Sequence, residues 1–343
     1  MELSIESITR RVSATYDLFP YPSPATGIQN LKGLANLLTI FSRETAYDFR
    51  GKTVLDAGTG TGHHLLEAAA ALKDTAFVAI DVSGRPLAIA RETAKAQHVD
   101  NVRFQRIDLM DTSVDLGRFD VILCMGVLHH LADPVRGMRN LVRSLSDNGL
   151  LFFYVHGTHG SRERIRRKQI LSTLLGGNGR DFDRGIEMIR DLGFDPVSYG
   201  WNLNIDDERT KESVCVHSYL NVHESLFDAD SVFNLAQSSQ LESFVTYGIS
   251  IGQTGLLFES RLNAPPDTLL PRTDISTKLS TPRLCEAYER LNLRDRYRLI
   301  DLFYQPSGYV VIGLKCPAAR LFPGDSRVVQ NAVDATADWS RRE

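Results

Sequence analysis

Three glycines at alternate positions, Gly58, Gly60 and Gly62, interrupt a run that enters apolar (Val54-Leu55-Asp56-Ala57) and leaves on a helical Leu/Ala pattern from Leu65 to Leu72. That order predicts a strand, a tight loop and a helix. Glycine accepts backbone conformations closed to other residues, and it lets a ligand come close to the main chain. The spacing also excludes one loop type. A dinucleotide fingerprint would place its third glycine at 63, where the helix closes on its strand, but His63 stands there.

The segments that follow keep one rhythm. A second strand, Ala76-Phe77-Val78-Ala79-Ile80, ends in Asp81, about 20 residues beyond the glycine loop, where a carboxylate suits a vicinal diol. A helix opens at Ser83-Gly84-Arg85-Pro86, with Ser83 as its expected cap. A third strand, Val102–Ile107, is closed by Asp108, and a fourth, Phe119–Met125, is almost continuously apolar. Asp133 then caps a helix with Pro134 in its first position, running to about Leu145. A turn at Asp147-Asn148-Gly149 leads to a fifth strand, Leu150–Val155. Apolar strands alternating with helices indicate a parallel sheet covered on both faces.

In this order the loop Asp56-x-Gly58-x-Gly60-x-Gly62, Asp81, Asp108 and the stretch Phe119-Asp120 to Leu128-His129-His130-Leu131-x-Asp133-Pro134 resemble the class I S-adenosylmethionine (SAM)-dependent methyltransferases of small-molecule and quinone type, over residues 50–156. The resemblance implies an α/β fold: a Rossmann-like, seven-stranded, mostly parallel sheet with helices on both faces. It implies SAM as cofactor. Asp56, Gly58, Gly60 and Gly62 would frame its methionine part and Asp81 would hold its ribose. Val82 would pack on the adenine, Asp108 would accept from the adenine amino group with Leu109 beside it, and Gly126 would lie near the sulfonium.

A chain of 343 residues exceeds one minimal domain of this kind, so additions to the core are expected. Residues 1–49 form an N-terminal lid, 50–156 the SAM-binding core and 157–227 a helical insertion that caps it. Residues 228–250 continue the core, 251–306 form a second insertion, and 307–343 give the last strand and a tail. The final helix is expected at Asp228–Ser239. Two antiparallel strands, Phe244–Ile249 and Gly308–Lys315, should complete the sheet, and a helical pattern runs from Thr281 to Phe303. Insertions after the C-terminal ends of strands stand above the ligand crevice.

A net charge of −3 gives no case for nucleic acid or an anionic membrane as partner. Four scattered cysteines argue for a reducing compartment and against a metal site. No signal peptide and no apolar run of about 18 residues occur, so the expectation is a cytoplasmic protein. A small molecule is the expected partner, and a homo-oligomer is compatible with the insertions.

Three features bear on chemistry. The segment Tyr16-Asp17-Leu18-Phe19-Pro20-Tyr21-Pro22-Ser23-Pro24 is stiffened by its prolines, and it would present Tyr16, Phe19 and Tyr21 to the pocket. It resembles the lead-in of some bacterial methyltransferase domains, where such a segment closes over the ligands. His130 and His129, after the fourth strand, and His156, at the end of the fifth, are candidate bases, whereas His63 and His64 should pack or cap. The run Arg162-Glu163-Arg164-Ile165-Arg166-Arg167-Lys168 reads as a solvated helix face, or as a grip for an anionic acceptor or a partner.

The functional expectation is methyl transfer to a small organic acceptor, a specialised metabolite or an amino-acid-like compound. Two other classes fit the same loop: an enzyme that cyclises SAM or removes its aminocarboxypropyl group, releasing methylthioadenosine, and a SAM-binding regulatory module without catalysis.

Overall fold

A computed structural model of the chain describes residues 4–24, 33–176, 181–195, 206–249, 278–321 and 333–334. Parts of both insertions (177–180, 196–205 and 251–277) and most of the tail lie outside the described residues.

Seven strands, β1 (Thr53–Ala57), β2 (Ala76–Asp81), β3 (Val102–Arg106), β4 (Phe119–Met125), β5 (Leu145–His156), β6 (Ser243–Ile249) and β7 (Gly308–Leu314), form one sheet, and the two-residue β8 (Val333–Asp334) extends its edge. The spatial order is β3-β2-β1-β4-β5-β7-β6-β8. The pairs among β1 to β5 are parallel, while β7 runs antiparallel to both β5 and β6. Strand β6 therefore points the same way as β1 to β5. The two expected closing strands do pair antiparallel, and β7 is the one that runs against the rest of the seven because it is wedged between two strands of one direction. The expected turn at Asp147–Gly149 is instead an irregularity inside β5, where the register jumps from Phe119↔Leu145 to Val121↔Leu150.

Neighbouring residues of each strand feed opposite faces, as the period of two requires. Val54, Phe152 and Ile312 join one core with helix α2 (Gly33–Thr45) and helix α3 (His63–Ala71). Leu55, Phe153 and Val311 join the other with α5 (Pro134–Arg143) and α9 (Ala229–Ser238). Cys124 is fully buried in β4. Both faces of the sheet are covered by apolar side chains, so the strands read as apolar runs rather than alternating ones.

The helix starts follow their sequence signals with one exception. The Asp133 carboxylate accepts the Arg136 N–H at 3.0 Å, with Pro134 in the first position. Asp228 and Ser231 form a reciprocal capping box on α9. Helix α4 (Gly84–Ala96) departs from expectation: its N-terminal Ser83 turns its hydroxyl toward the Ser13 carbonyl. The cap comes instead from Asp17 of helix α1 (Ile5–Leu18), which accepts the Arg85 N–H at 2.9 Å. The pattern from Thr281 to Phe303 is two helices, α10 (Pro282–Glu289) and α11 (Leu293–Tyr304), broken at Asn292, whose side chain caps the second.

The first insertion carries α6 (Arg162–Leu174), α7 (Phe182–Asp191) and α8 (Glu208–Cys215), with α8 passing into a π-helical turn, Val216–Leu220. These helices share a small core of their own, built from Leu171, Ile186, Ile189, Val216 and Tyr219. A short helix, α12 (Ala318–Leu321), follows β7. Among the described residues, no helix is long and apolar enough to cross a membrane.

Candidate functional site

The sheet order reverses between β1 and β4, and this is where an open α/β sheet forms its ligand crevice. The loop after β1 and the 3₁₀ turn after β4 (Leu128–His130) both open into a cavity there, which α1, the N-terminal segment and the π-helical turn of the cap roof over.

The floor is made by backbone and carboxylates. Gly58, Gly60 and Gly62 all have positive φ, at 82°, 55° and 74°. Their need for glycine comes from the protein's own packing: a Cβ on Gly58 would lie 2.2 Å from Val127, and one on Gly60 would lie 2.4 Å from the Tyr21 carbonyl oxygen. The close approach expected of a ligand at Gly60 is thus made by the N-terminal segment. Two further bonds fasten that segment: the Thr61 N–H donates to the Tyr21 carbonyl at 3.2 Å, and the Thr61 hydroxyl to the Pro22 carbonyl at 2.8 Å. Asp81 at the end of β2 accepts the Gly60 N–H at 2.9 Å and the Ser83 N–H at 2.8 Å, so one carboxylate ties the glycine loop to the head of α4. Burial raises its pKa, and burial pushes the Asp56 carboxyl up to about 7. Asp108 lines the same cavity while its side chain makes a tight turn, accepting the Met110 N–H at 2.8 Å. Val82, Leu109 and Gly126 line it too, so every residue expected to frame the cofactor except Gly62 faces one space. Gly62 is turned toward Ala90 of α4.

The far wall is made of rings. His129, His130 and His156 all line the cavity, joined by Tyr16, Tyr21 and His217. The His129 ring lies stacked on His156, 3.8 Å between centroids, with His130 4.3 Å from it at a tilt. Burial lowers the pKa of every one of these imidazoles, to about 3 for His130 and about 4 for His217. They are therefore neutral near pH 7, and each neutral ring has one N–H and one bare nitrogen. Backbone carbonyls fix which is which. His130 Nδ1 meets the His223 carbonyl at 3.0 Å, so Nδ1 carries the proton and Nε2 is the acceptor. His217 Nε2 meets the Phe19 carbonyl at 2.8 Å, so Nε2 carries the proton.

Behind His156 stands a buried ionic cluster. His156 Nδ1 donates to Glu224 at 2.5 Å, and Arg164 grips the same carboxylate through two N–H groups at 2.9 and 2.5 Å. Lys168 stands 3.8 Å from it. Burial alone would raise the Glu224 pKa, but the bonds from His156 and Arg164 hold it well below the usual carboxylate range. The basic run thus divides by helical turn. Arg164 and Lys168 point inward to Glu224, while Arg166 and Arg167 pair with Glu163 on the outer surface. No Arg or Lys lines the cavity among the described residues, so the run does not grip a ligand there.

The aromatic segment is corrected in two respects. Tyr16 belongs to the last turn of α1 rather than to an extended strap, and Phe19 faces away from the cavity, edge-on to Phe182 at 5.2 Å in the cap core. Tyr16 and Tyr21 do face the cavity, and both contact the His217 ring. His63 is buried, bonded to the Thr61 hydroxyl at 2.8 Å, whereas His64 lines the cavity. Sequence reasoning missed His217 and Glu224. Neither sits in a motif, and each meets partners 60 to 198 residues away. The one available signal was the spacing of Arg164 and Lys168, one helical turn apart within the basic run.

Residues 55–151 match a family model described as a methyltransferase domain. The chain is 29% identical over 311 residues to an uncharacterised protein of Synechococcus sp., covering 87% of this chain and 69% of that protein. It is 34% identical over 110 residues to the ubiquinone biosynthesis O-methyltransferase of Coxiella burnetii, covering 32% of this chain and 46% of that one. Among solved structures, PKMT2 from Rickettsia typhi shares the fold, with a TM-score of 0.57 at 15% identity over 83% of this chain and 53% of that one. PKMT2 has also been solved in complex with AdoHcy. The matches to the ubiquinone enzyme and to PKMT2 span about half the length of each.

Proposed function

We propose that the chain is a class I SAM-dependent methyltransferase and that it transfers a methyl group from SAM to a small organic acceptor bound beneath the cap. The observation that carries this reading is the make-up of one cavity, which brings together carboxylates and a glycine loop with neutral imidazoles and tyrosines. The floor suits the donor. Asp56, Asp81 and Asp108 line it with no cation among the described lining residues, which favours a positively charged sulfonium ligand. Asp81 retains lone pairs for ribose hydroxyls beyond the two backbone N–H groups it accepts. Asp108 and Leu109 would border the adenine, Val82 would pack on it, and the glycine loop and Gly126 would border the methionine end.

When bound, SAM supplies an electrophilic methyl carbon, so the protein need not provide a nucleophile. The chain's task is alignment, which is worth on the order of 7–11 kcal/mol in well-oriented reactions. His130 would present Nε2 as a hydrogen-bond acceptor to the substrate, because its Nδ1 is bonded to the His223 carbonyl; with its pKa lowered to about 3 by burial, it would orient the acceptor rather than hold its proton. Glu224, held ionised by Arg164, fixes the His156 tautomer from behind and so braces His129, on which His156 stacks. Cover by α1 and the cap would limit the access of water to the reacting groups.

Titration with S-adenosylhomocysteine followed by product analysis tests the reading. Binding, together with S-adenosylhomocysteine release from SAM in a metabolite extract, is expected. Methylthioadenosine as the product would assign the other SAM chemistry, and binding without turnover would leave a regulatory module.

A further inference from the structure

Resting on that reading, we propose that Tyr154 sets acceptor specificity: its hydroxyl donates to an uncharged carbonyl oxygen that the acceptor carries beside the atom being methylated. The placement follows from the sheet. Asp108 stands just past β3, Asp81 ends β2, Asp56 lies in β1 and Gly126 follows β4. Those strands are neighbours in the order β3-β2-β1-β4, so a donor held by these residues lies along the row with its sulfonium end at β4. Strand β5 comes next, and neighbouring strands lie about 4.8 Å apart. Tyr154 stands near the C-terminal end of β5, where its carbonyl accepts the Gly126 N–H at 3.2 Å. Its ring lines the cavity, edge-on to His156 at 5.7 Å and to His129 at 6.3 Å. That is the acceptor's side of the sulfur.

The phenol is only 6% exposed, and its hydroxyl has no hydrogen-bond partner among the described residues. The Thr59 hydroxyl and His129 Nδ1 are shut away without partners, whereas the Tyr154 hydroxyl keeps accessible surface on the cavity. A buried phenol normally finds a partner, and a ligand supplies the one missing here. Strand β7 seats the ring. A Cβ on Gly308 would lie 2.3 Å from it and 2.5 Å from the hydroxyl oxygen, so glycine leaves the room that the ring fills. Burial raises the pKa of the phenol, which therefore keeps its proton and can donate it in a hydrogen bond.

The neighbouring groups narrow the class. His130 Nε2 can only accept, so it serves a donor on the ligand, while an acceptor oxygen on the ligand needs an O–H such as that of Tyr154. No Arg or Lys lines the cavity among the described residues, so no side chain there offsets a carboxylate. The fitting acceptors are neutral molecules in which a ketone, ester or amide carbonyl stands beside the methylated group.

The test titrates the ortho, meta and para isomers of hydroxyacetophenone, each against the matching ethylphenol, into the full-length protein loaded with S-adenosylhomocysteine. The members of a pair differ by one carbonyl oxygen. Wild type should bind at least one hydroxyacetophenone on the order of tenfold or more tighter than its ethylphenol. Tyr154→Phe keeps the ring over Gly308 and should bring that ratio to within about twofold by weakening the carbonyl member alone. Its affinity for S-adenosylhomocysteine should match that of wild type. Equal affinity within every pair for wild type, no binding of any member, or an unchanged ratio in Tyr154→Phe would each overturn the assignment. Loss of S-adenosylhomocysteine affinity in Tyr154→Phe would place the hydroxyl on the donor and overturn it too. Failure of wild type to bind S-adenosylhomocysteine would instead sink the methyltransferase reading, so the two failures are separable.

Discussion

The two walls of the cavity are built by different means. The floor is local: a glycine loop and the carboxylates of Asp56, Asp81 and Asp108, anchored to main-chain N–H groups, all contributed by residues 56–109. The opposite wall is side chain: Tyr16, His130, His156 and His217 come from four separate elements, and Glu224 and Arg164 brace them from behind. A wall anchored to backbone tolerates only substitutions that leave the main chain in place. A wall of rings held by tautomer and stacking can be retuned one residue at a time. The first kind preserves a cofactor, and the second lets an acceptor change.

The sharpest break in this contrast would be at Gly60, where the two walls touch. Gly60→Val puts carbon on the Tyr21 carbonyl and forces a β-branched residue to positive φ. We expect S-adenosylhomocysteine binding to vanish by calorimetry and the segment before Ser23 to become open to protease, with circular dichroism largely retained. Native affinity in this variant would show that the loop is not the donor site. Next in size is deletion of residues 1–24. Donor affinity should fall moderately while turnover nearly disappears, because the roof and the Tyr16 and Tyr21 rings go together. Wild-type turnover in a folded deletion protein would leave the segment as outer packing. Third is Asp81→Ala, which removes a charged acceptor from the ribose and from the Gly60 N–H. Hydrogen bonds to charged groups contribute about 1.5–3 kcal/mol, so donor affinity should drop on the order of tenfold or more. Unchanged affinity would remove Asp81 from the donor wall.

The smallest effect is on stability against pH. Burial depresses the His217 pKa to about 4, so below the ordinary value of about 6.5 the unfolded chain binds a proton that the folded chain refuses. Stability from this group is complete above pH 6.5 and is lost as pH falls toward 4. Asp56, raised to about 7, contributes in the opposite sense, gaining stability as pH falls below 7. His217→Gln removes only the first contribution. Its stability gap to wild type should therefore narrow by about 2 kcal/mol between pH 6.5 and 5, read by urea denaturation at each pH. A constant gap would mean that His217 titrates as if exposed.

The same contrast explains what the sequence could disclose. Asp108 and Asp133-Pro134 act locally, through a tight turn and a cap, so their roles follow from spacing within a few residues, and Gly58 and Asp81 belong to a motif whose order is read along the chain. The five parallel strands were legible for the same reason. His217 and Glu224 act across the fold, and nothing adjacent to either in the chain marks it. The cap of α4 illustrates the limit. Ser83 has the right chemistry and position, yet Asp17, 68 residues earlier, makes the bond. Strand pattern carries no arrow, so the direction of β6 relative to β1 to β5 emerges only from its pairing with β7.

That borrowed cap makes the first turn of α4 a reporter on the roof. The Arg85 amide has its proton covered only while Asp17 is docked, so its exchange with solvent deuterium should proceed at the rate at which α1 lifts. One amide at the head of α4 then serves as a clock for opening, readable without any acceptor in hand, and a bound donor that slows it would time the closing of the enzyme.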